Sequence, residues 1–170
     1  MSTRPSVNPI RAATREWAEQ FGDRYQFAVT LTLKPYRNAF GTHGLPFRQQ
    51  LTPTIAWQTF AKFQHNLNRQ IFRNAARRYG NTLLLMPMLE GERSQKLLHF
   101  HCAIGDVPDW VTAPRFGKHV SAAWRHTEFG NEQIDVQPYR VGWLGYMTKE
   151  LYCDSDGFGW EHVAFGNNPS

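Results

Sequence analysis

The sequence lacks the features of several large protein classes. Its only two cysteines, Cys102 and Cys153, form no CxxC pair, which argues against a disulfide scaffold and favours a reducing compartment. The longest apolar run, residues 83–89, is far too short to span a bilayer, and no apolar signal core follows the first residues. We therefore expect a soluble protein of the cytoplasm that has no membrane partner.

The chain does contain enough apolar sequence for one domain. With 170 residues, of which 41% are hydrophobic, it can form a single core, and a second domain would be cramped. We expect one domain over residues 1–170, with flexible ends at about 1–7 and 155–170. The 19 lysines and arginines outnumber the 14 acidic residues, a balance that fits an anionic partner such as nucleic acid.

The spacing of apolar residues predicts eight elements in the order α-β-α-β-β-α-β-α. The helices are expected at about residues 8–21, 52–80, 112–127 and 141–151, and the strands at 26–33, 83–90, 97–104 and 133–137. The stretch 35–50, rich in Gly, Pro and Asn, is expected to be a functional loop. Without the end helices the order is the split βαβ, ferredoxin-like pattern, so the predicted fold class is α+β with an antiparallel sheet.

Two histidines form the strongest local signal. His99 and His101 are two residues apart in a predicted strand, so their imidazoles share a face, which suits a metal pair as well as simple packing. If the six-residue polar loop joins the two strands symmetrically, Glu90 lies opposite Leu97 and on the face of the histidines. Two imidazoles and one carboxylate suit a divalent ion such as Mn²⁺, with Glu92 as the competing carboxylate.

The last predicted helix carries a second signal, Tyr146 and Lys149. Residues three apart lie on the same helical surface, so the phenol and the ammonium can converge on one phosphate. A phenol is protonated near neutral pH, so as a nucleophile it needs a metal-activated electrophile and cationic help. The structural alternative is that Tyr146 caps the core and Lys149 is a surface residue.

Together these segments resemble the HUH endonucleases, specifically the single-tyrosine replication initiators of rolling-circle plasmids and single-stranded DNA phages. Residues 27–32 resemble the first motif of the family, residues 98–104 resemble its metal-binding motif, and residues 135–138 with 146–149 resemble its last strand and nucleophile motif. The resemblance covers about residues 25–151.

The resemblance implies a mechanism and a role. Glu90, His99 and His101 would hold Mn²⁺ or Mg²⁺ at the scissile phosphate of single-stranded DNA or a hairpin origin. Tyr146 would form a 5′-phosphotyrosyl bond and Lys149 would orient the phosphate. The implied role is to initiate rolling-circle replication in the host cell of a plasmid, phage or other mobile element. No GxxxxGK[ST] loop is present, so a host helicase is an expected partner, and a monomer is the expected state.

Basic side chains outside these motifs are candidates for contacts with DNA phosphates. They are Lys34, Arg37, Arg73, Arg77 and Lys96. Arg73 and Arg77 fit the solvated face of a helix equally well. Trp143, one turn before Tyr146, is expected to pack the final helix onto the sheet.

Three other functions remain open. A single-tyrosine transposase acting on hairpin ends would share the chemistry and would be marked by robust dimerisation. A ferredoxin-like module that binds single strands without catalysis explains the basic balance, the aromatics and the topology, but not the spacing of the histidines, tyrosine and lysine. A structural zinc site is weaker, because no cysteine pair accompanies the histidines.

Overall fold

The computed structural model describes residues 8–92, 96–151 and 157–167. Its helices are α1 (Pro9–Glu19), α2 (Pro53–Phe72), α3 (Asn74–Tyr79), α4 (Ala113–Arg125) and α5 (Trp143–Met147). Its strands are β1 (Tyr25–Leu33), β2 (Tyr36–Phe40), β3 (Pro46–Gln50), β4 (Leu84–Glu90), β5 (His99–Gly105), β6 (Gly130–Pro138) and β7 (Ala164–Phe165). Two 3₁₀ turns occur at Gly22–Arg24 and Trp160–His162.

A five-stranded antiparallel sheet, in the order β6-β1-β5-β4-β7, forms the centre of the fold. Four of these strands and two helices follow one another along the chain as β1-α2-β4-β5-α4-β6. This is the β-α-β-β-α-β order of a split βαβ unit. The predicted α+β class with an antiparallel sheet is therefore confirmed, and the topology is compatible with a ferredoxin-like core.

One face of the sheet is packed against α2 and α4. Alternate side chains of β1 and β5 point to this face, so Leu31 and Phe100 enter a fully buried cluster with Phe60 of α2 and Trp124 of α4. The indole nitrogen of Trp124 donates a 2.8 Å hydrogen bond to the carbonyl of Thr32, which satisfies a buried donor and fixes α4 on the sheet.

The other face is covered by α1, by α5 and by the segment that begins at residue 157. Met86 of β4 and Ala103 of β5 are buried there against Leu144 and Met147 of α5 and against Phe158. This second layer extends over β4 and β5 more than over β6, whose residues at positions 133, 135 and 137 remain exposed. A polar part of the sheet is thus left open beside α5.

The stretch 35–50 is not the loop that was predicted. Tyr36–Phe40 and Pro46–Gln50 pair in register as a two-stranded antiparallel hairpin, from Tyr36 opposite Gln50 to Phe40 opposite Pro46. The glycines and prolines that suggested a loop occur at the turn and at the strand ends, where they do not interrupt the ladder.

The predicted long helix over residues 52–80 is also broken. It divides into α2 and α3 at Arg73, which has a left-handed φ of 52°. The break changes the direction of the chain so that Ala75 and Ala76 pack against the core that contains Phe72. Helical periodicity continues through the break, which explains why the sequence pattern did not reveal it.

The C-terminal part differs from expectation in two ways. The final helix is shorter than residues 141–151 at both ends. It begins only after Gly142, which has a φ of 99°, and it ends at Met147, so Lys149 lies in the turn beyond the helix and not on the helix as predicted. Residues 157–167, expected within a flexible end, instead pack on the sheet. Phe158 is buried and β7 pairs with β4, which would otherwise be an open edge. The expected flexible segment 1–7 lies outside the described residues.

The packing of α2 and α4 on the sheet leads to a prediction about stability. Phe100→Ala is expected to lower the free energy of unfolding by about 3–5 kcal/mol, measured by urea denaturation, because its ring is fully buried against Phe60 and Trp57. Phe40→Ala is the control, since this ring is 75% exposed, and its effect should stay within about 0.5 kcal/mol. Equal effects of the two substitutions would contradict this assignment of the core.

Candidate metal centre

Strands β4 and β5 bring three potential metal ligands to one end of the sheet. Glu90, the last residue of β4, pairs directly with His99, the first residue of β5, and Met88 pairs with His101. Paired residues share a face, and residues two apart along a strand do so as well. All three ligands therefore project from the face covered by α1 and α5.

The predicted register of this hairpin was wrong by two residues, whereas the predicted face was right. Glu90 lies opposite His99 and not opposite Leu97, so the connection spans residues 91–98. A slip of one residue would have moved Glu90 to the other face, but a slip of two leaves it with the histidines. Gly91 begins this connection with a φ of 105°, and a Cβ there would lie 2.7 Å from the carbonyl oxygen of Leu97.

The three side chains form a compact, buried cluster. One ligand atom from each of Glu90, His99 and His101 lies within 4.8 Å of the others, and no other such group occurs among the residues described. The Nε2 atoms of His99 and His101 are each 3.5 Å from Oε2 of Glu90. The side chains of Glu90 and His101 are 1% and 5% exposed, and that of His99 is 18% exposed, so access is from the side of His99. Such a group can hold a metal ion.

Unpaired polar atoms show that a cation fits this cluster. Within the described parts of the chain, both carboxylate oxygens of Glu90 and Nε2 of His101 are buried without a hydrogen-bond partner. Buried polar atoms are rarely left in this state, because their desolvation is then uncompensated. A divalent ion bound to these atoms would satisfy all of them at once.

The outer nitrogens of the imidazoles are held so that the inner ones can coordinate. Nδ1 of His99 lies 2.8 Å from the carbonyl oxygen of Leu97, so it must donate, and in the neutral imidazole Nε2 then keeps its lone pair. Nδ1 of His101 lies 3.0 Å from Oγ1 of Thr30, a hydroxyl that can accept a hydrogen bond. Hydrogen bonds of this kind orient metal-binding histidines and fix their tautomers.

The surroundings of Glu90 keep its carboxyl group ionised. Burial by itself would raise the pKa of Glu90, but the imidazoles of His101 and His99, together with the ammonium of Lys149, lower that pKa well below its usual range. The carboxyl group of Glu90 in turn raises the pKa of His99, against the opposing effect of burial. Glu90 is therefore ionised at neutral pH and directs a full negative charge into the cluster.

Helix α5 places Tyr146 against this cluster. The ring centroid of Tyr146 is 5.1 Å from that of His101 and 5.3 Å from that of Trp143, on which it stacks. Trp143 packs α5 onto the sheet as expected, since its indole nitrogen donates a 3.0 Å hydrogen bond to the carbonyl of Cys102. Tyr146 is nevertheless 48% exposed, so an external substrate can reach it.

Lys149 links the tyrosine to the carboxylate. Its Nζ lies 3.3 Å from Oε2 of Glu90 and 3.6 Å from the ring centroid of Tyr146. Burial lowers the pKa of Lys149, but its contacts with Tyr146 and Glu90 outweigh this effect and raise the pKa. Lys149 therefore carries its positive charge next to both groups.

Sequence reasoning did not identify the cavity beside the tyrosine. This cavity, about 420 Å³ in volume, is lined by Ala28, Gln137, Pro138, Arg140, Gly142, Trp143 and Tyr146. It opens on the uncovered part of the sheet, where Ala28 of β1 pairs with Gln137 of β6. The cavity could have been predicted only from the pairing of the strands that form its floor. The register of β1 with β5 and β6, which also places Thr30 opposite His101, cannot be read from one sequence.

Three of the predicted basic residues lie at the same end of the sheet as the cluster. Thr32 of β1 pairs with His99, so Lys34, exposed just beyond β1, is at this end. Lys96 is exposed in the connection that precedes His99. Arg37 of β2 is occupied within the protein, because its guanidinium is 3.1 Å from a carboxylate oxygen of Glu128.

The other two basic candidates are not brought to the cluster. Arg73 and Arg77 line a cavity of about 720 Å³ near Thr82, at the end of β4 opposite Glu90 and beside the layer that contains α2. The competing carboxylate Glu92 is exposed and is not part of the ligand group. The candidate ligand group is therefore Glu90, His99 and His101.

No helix within the described ranges is long and apolar enough to cross a membrane. Comparisons of the chain with protein-family models, with curated proteins and with solved structures found no match. The functional conclusion therefore depends on the chemistry of the site itself.

Metal binding can be tested without any substrate. Mn²⁺ at about 100 times its Kd is expected to stabilise the wild type by about 2.7 kcal/mol in urea denaturation, and to stabilise Glu90→Gln little, because that variant has lost the charged ligand. Glu92→Gln is the matched control and should respond to Mn²⁺ as the wild type does. An equal response of Glu90→Gln would place the ion elsewhere.

Proposed function

We propose that the chain is a metal-dependent, single-tyrosine endonuclease that nicks and rejoins single-stranded DNA, as the resemblance to HUH replication initiators implies. The observation that carries the proposal is one juxtaposition. The ring centroid of Tyr146, an exposed tyrosine, is 5.1 Å from that of His101. His101 in turn belongs to the cluster of two imidazoles and one carboxylate. A nucleophile beside a site that can hold a metal is what phosphodiester transfer needs.

The cluster would supply the electrophilic activation. Mn²⁺ or Mg²⁺ held by Glu90, His99 and His101 would act as a Lewis acid on an oxygen of the scissile phosphate. The mixed imidazole and carboxylate donors favour Mn²⁺ among these two ions. His99, the more exposed of the two histidines, borders the opening through which a phosphate would approach.

Tyr146 supplies the nucleophile. Its phenolic oxygen attacks phosphorus, a tyrosyl O–P bond forms, and the bond between phosphorus and the 3′ oxygen of the preceding nucleotide breaks. The phenolic proton passes to solvent, and the departing 3′ oxygen takes up a proton to become a hydroxyl. One phosphoester replaces another, so attack by a 3′-hydroxyl on the phosphotyrosine can rejoin the strand and release Tyr146.

Lys149 supplies positive charge at the reacting group. Its ammonium lies against the ring of Tyr146 and close to Glu90, so it is held in place on two sides. In this position it can attract an oxygen of the phosphate and stabilise the negative charge that develops there during the transfer.

The cavity beside Tyr146 supports a single-stranded substrate. With about 420 Å³ and a wall formed by Trp143, it has room for a nucleobase next to the phosphate at the nucleophile. Gln137 and Arg140 at its edge can hydrogen-bond to a base or a phosphate. A base enters such a cavity only when it is unpaired.

The proposed biological role is the initiation of rolling-circle replication of a plasmid, phage or other mobile element. The protein would act in the cytoplasm of the host, with a host helicase to unwind the nicked DNA. The number of subunits distinguishes this role from that of a transposase. A monomer suffices for one nick and would favour the replication initiator, whereas transfer between two element ends requires a dimer.

The nucleophile can be identified by trapping the covalent intermediate. We expect the wild type with Mn²⁺ to form a denaturation-resistant adduct on a pool of labelled single-stranded DNA, and Tyr146→Phe to form none. Tyr79→Phe removes an exposed hydroxyl on α3 and should leave the adduct unchanged. An adduct that survives in Tyr146→Phe would assign the reaction to another residue. DNA binding without an adduct in any pool would support the non-catalytic module.

The role of Lys149 can be separated from that of the metal ligands. Lys149→Gln is expected to slow single-turnover nicking by about 100- to 1,000-fold, as the loss of one transition-state donor does. It should not weaken Mn²⁺ binding in calorimetry, because the ammonium repels a cation at Glu90. Lys62→Gln removes an exposed lysine of α2 and should change neither quantity. A parallel loss of metal affinity would show that Lys149 acts by positioning Glu90.

A further inference from the structure

The hairpin of β2 and β3 has one face that the rest of the described chain leaves uncovered. Residues that pair across the two strands share a face. On one face every side chain is exposed, and these residues, which we call the arm face, are Tyr36, Asn38, Phe40, Pro46, Arg48 and Gln50. Tyr36 is 42% exposed and Phe40 is 75% exposed, although aromatic rings are usually buried. An exposed aromatic patch of this kind marks a binding surface.

The opposite face of the hairpin attaches it to the body of the protein. Arg37 on that face contacts Glu128 at 3.1 Å, and its guanidinium lies 5.4 Å from the ring centroid of Phe129. Glu128 is also paired with Lys62 of α2 at 3.0 Å, so this face is directed towards the layer of α2 and α4. The arm face consequently points away from that layer.

The hairpin leaves the sheet at the end where the metal centre is located. Strand β1 leads directly into it, and Thr32 near the end of β1 pairs with His99. Lys34 follows β1, exposed, two residues before Tyr36, the first residue of the arm face. A strand of nucleic acid bound at the cluster can therefore continue onto the arm face.

The charge of the hairpin identifies the class of partner. Residues 34–50 contain Lys34, Arg37 and Arg48 and no aspartate or glutamate. The guanidinium of Arg48 lies 4.0 Å from the ring centroid of Tyr36, so the arm face combines a cation with an aromatic plane. Aromatic planes within a basic surface are how proteins bind unpaired bases. A second copy of the chain would instead bring two cationic hairpins together with no carboxylate on either to compensate.

We propose that the arm face binds unpaired bases of the same DNA strand whose scissile phosphate lies at the metal centre, by stacking on Tyr36 and Phe40 and by contact of Arg48 with the backbone. The identity of the strand rests on the proposed function. The binding itself does not depend on catalysis, so the two can be tested separately.

The test measures the affinity of the protein for single-stranded DNA under conditions in which it cannot cleave the DNA. In the Tyr146→Phe background, with EDTA present, fluorescence anisotropy is followed with a short fluorescein-labelled single strand of mixed sequence. Phe40→Ala and Tyr36→Ala should each raise the Kd by about 5- to 150-fold, the range expected for the loss of one stacked base. Arg48→Gln should raise the Kd and reduce its dependence on salt. Phe40→Trp, which keeps a stacking plane, should bind as tightly as the parent protein.

Matched controls come from α3 on the other side of the molecule. Tyr79→Ala and Arg78→Gln remove an exposed aromatic ring and an exposed arginine there, and neither should change the Kd. Arm-face variants that bind the single strand as tightly as the parent would overturn the inference, and so would equal losses for the single strand and for its duplex. A third outcome would also overturn the inference. If the wild type is a dimer, and Phe40→Ala dissociates it into monomers without changing its DNA affinity, the arm face binds a second copy of the chain.

The outcome is independent of the proposed chemistry. If the wild type forms no covalent adduct with Mn²⁺ while the arm-face variants still lose single-strand affinity, the nuclease proposal fails and the arm face stands. If the adduct forms and the arm-face variants bind normally, the nuclease stands and this inference fails.

Discussion

A single buried carboxylate organises the functional end of this protein. Glu90 has a side chain that is 1% exposed, and two imidazoles and one ammonium approach the same oxygen, Oε2, at 3.3–3.5 Å. A buried charge is tolerated only where opposite charge or a metal surrounds it. The same negative charge therefore makes the group of Glu90 and the two histidines one that could hold a cation, and it holds Lys149 against the ring of Tyr146. The proposed nucleophile and the candidate metal centre are therefore coupled electrostatically.

The side chains of β1, β4 and β5 alternate between the two faces of the sheet, so that one face forms the core and the other carries the candidate metal ligands. On β5, Phe100 and Cys102 are fully buried in the core with α2 and α4, while their neighbours His99 and His101 carry the ligands. The core residues restrain the strand on one side and thereby fix the angle at which the ligands leave it on the other. A cluster whose atoms must lie within a few ångströms of each other benefits from a support of this kind.

Features of the site that follow from local side-chain alternation could be predicted from the sequence. Features that depend on contacts between residues far apart in the chain could not. The shared face of His99, His101 and Glu90 follows from strand alternation alone, so it survived an error of two residues in the register. The sequence predicts that Trp143 packs the final helix onto the sheet, but its hydrogen-bond partner, the carbonyl of Cys102 on β5, is a long-range contact that no periodicity encodes. The glycines and prolines of residues 35–50 indicate a loop, but they lie at the turn and at the strand ends of the hairpin, where they do not oppose strand pairing. The break at Arg73 has no signal in its neighbours.

The length of α5 has a consequence for how the protein would fail. A helix of five residues is unstable in isolation, so the position of Tyr146 depends on Trp143 and on the burial of Leu144 and Met147. These contacts attach α5 to the sheet without making it part of the hydrogen-bonded ladder. Heat or mild denaturant can therefore detach α5 in a local opening while the sheet remains intact. The α5 amide hydrogens would then exchange, and the proposed activity would be lost, at a temperature where the circular dichroism of the protein is still that of the native fold.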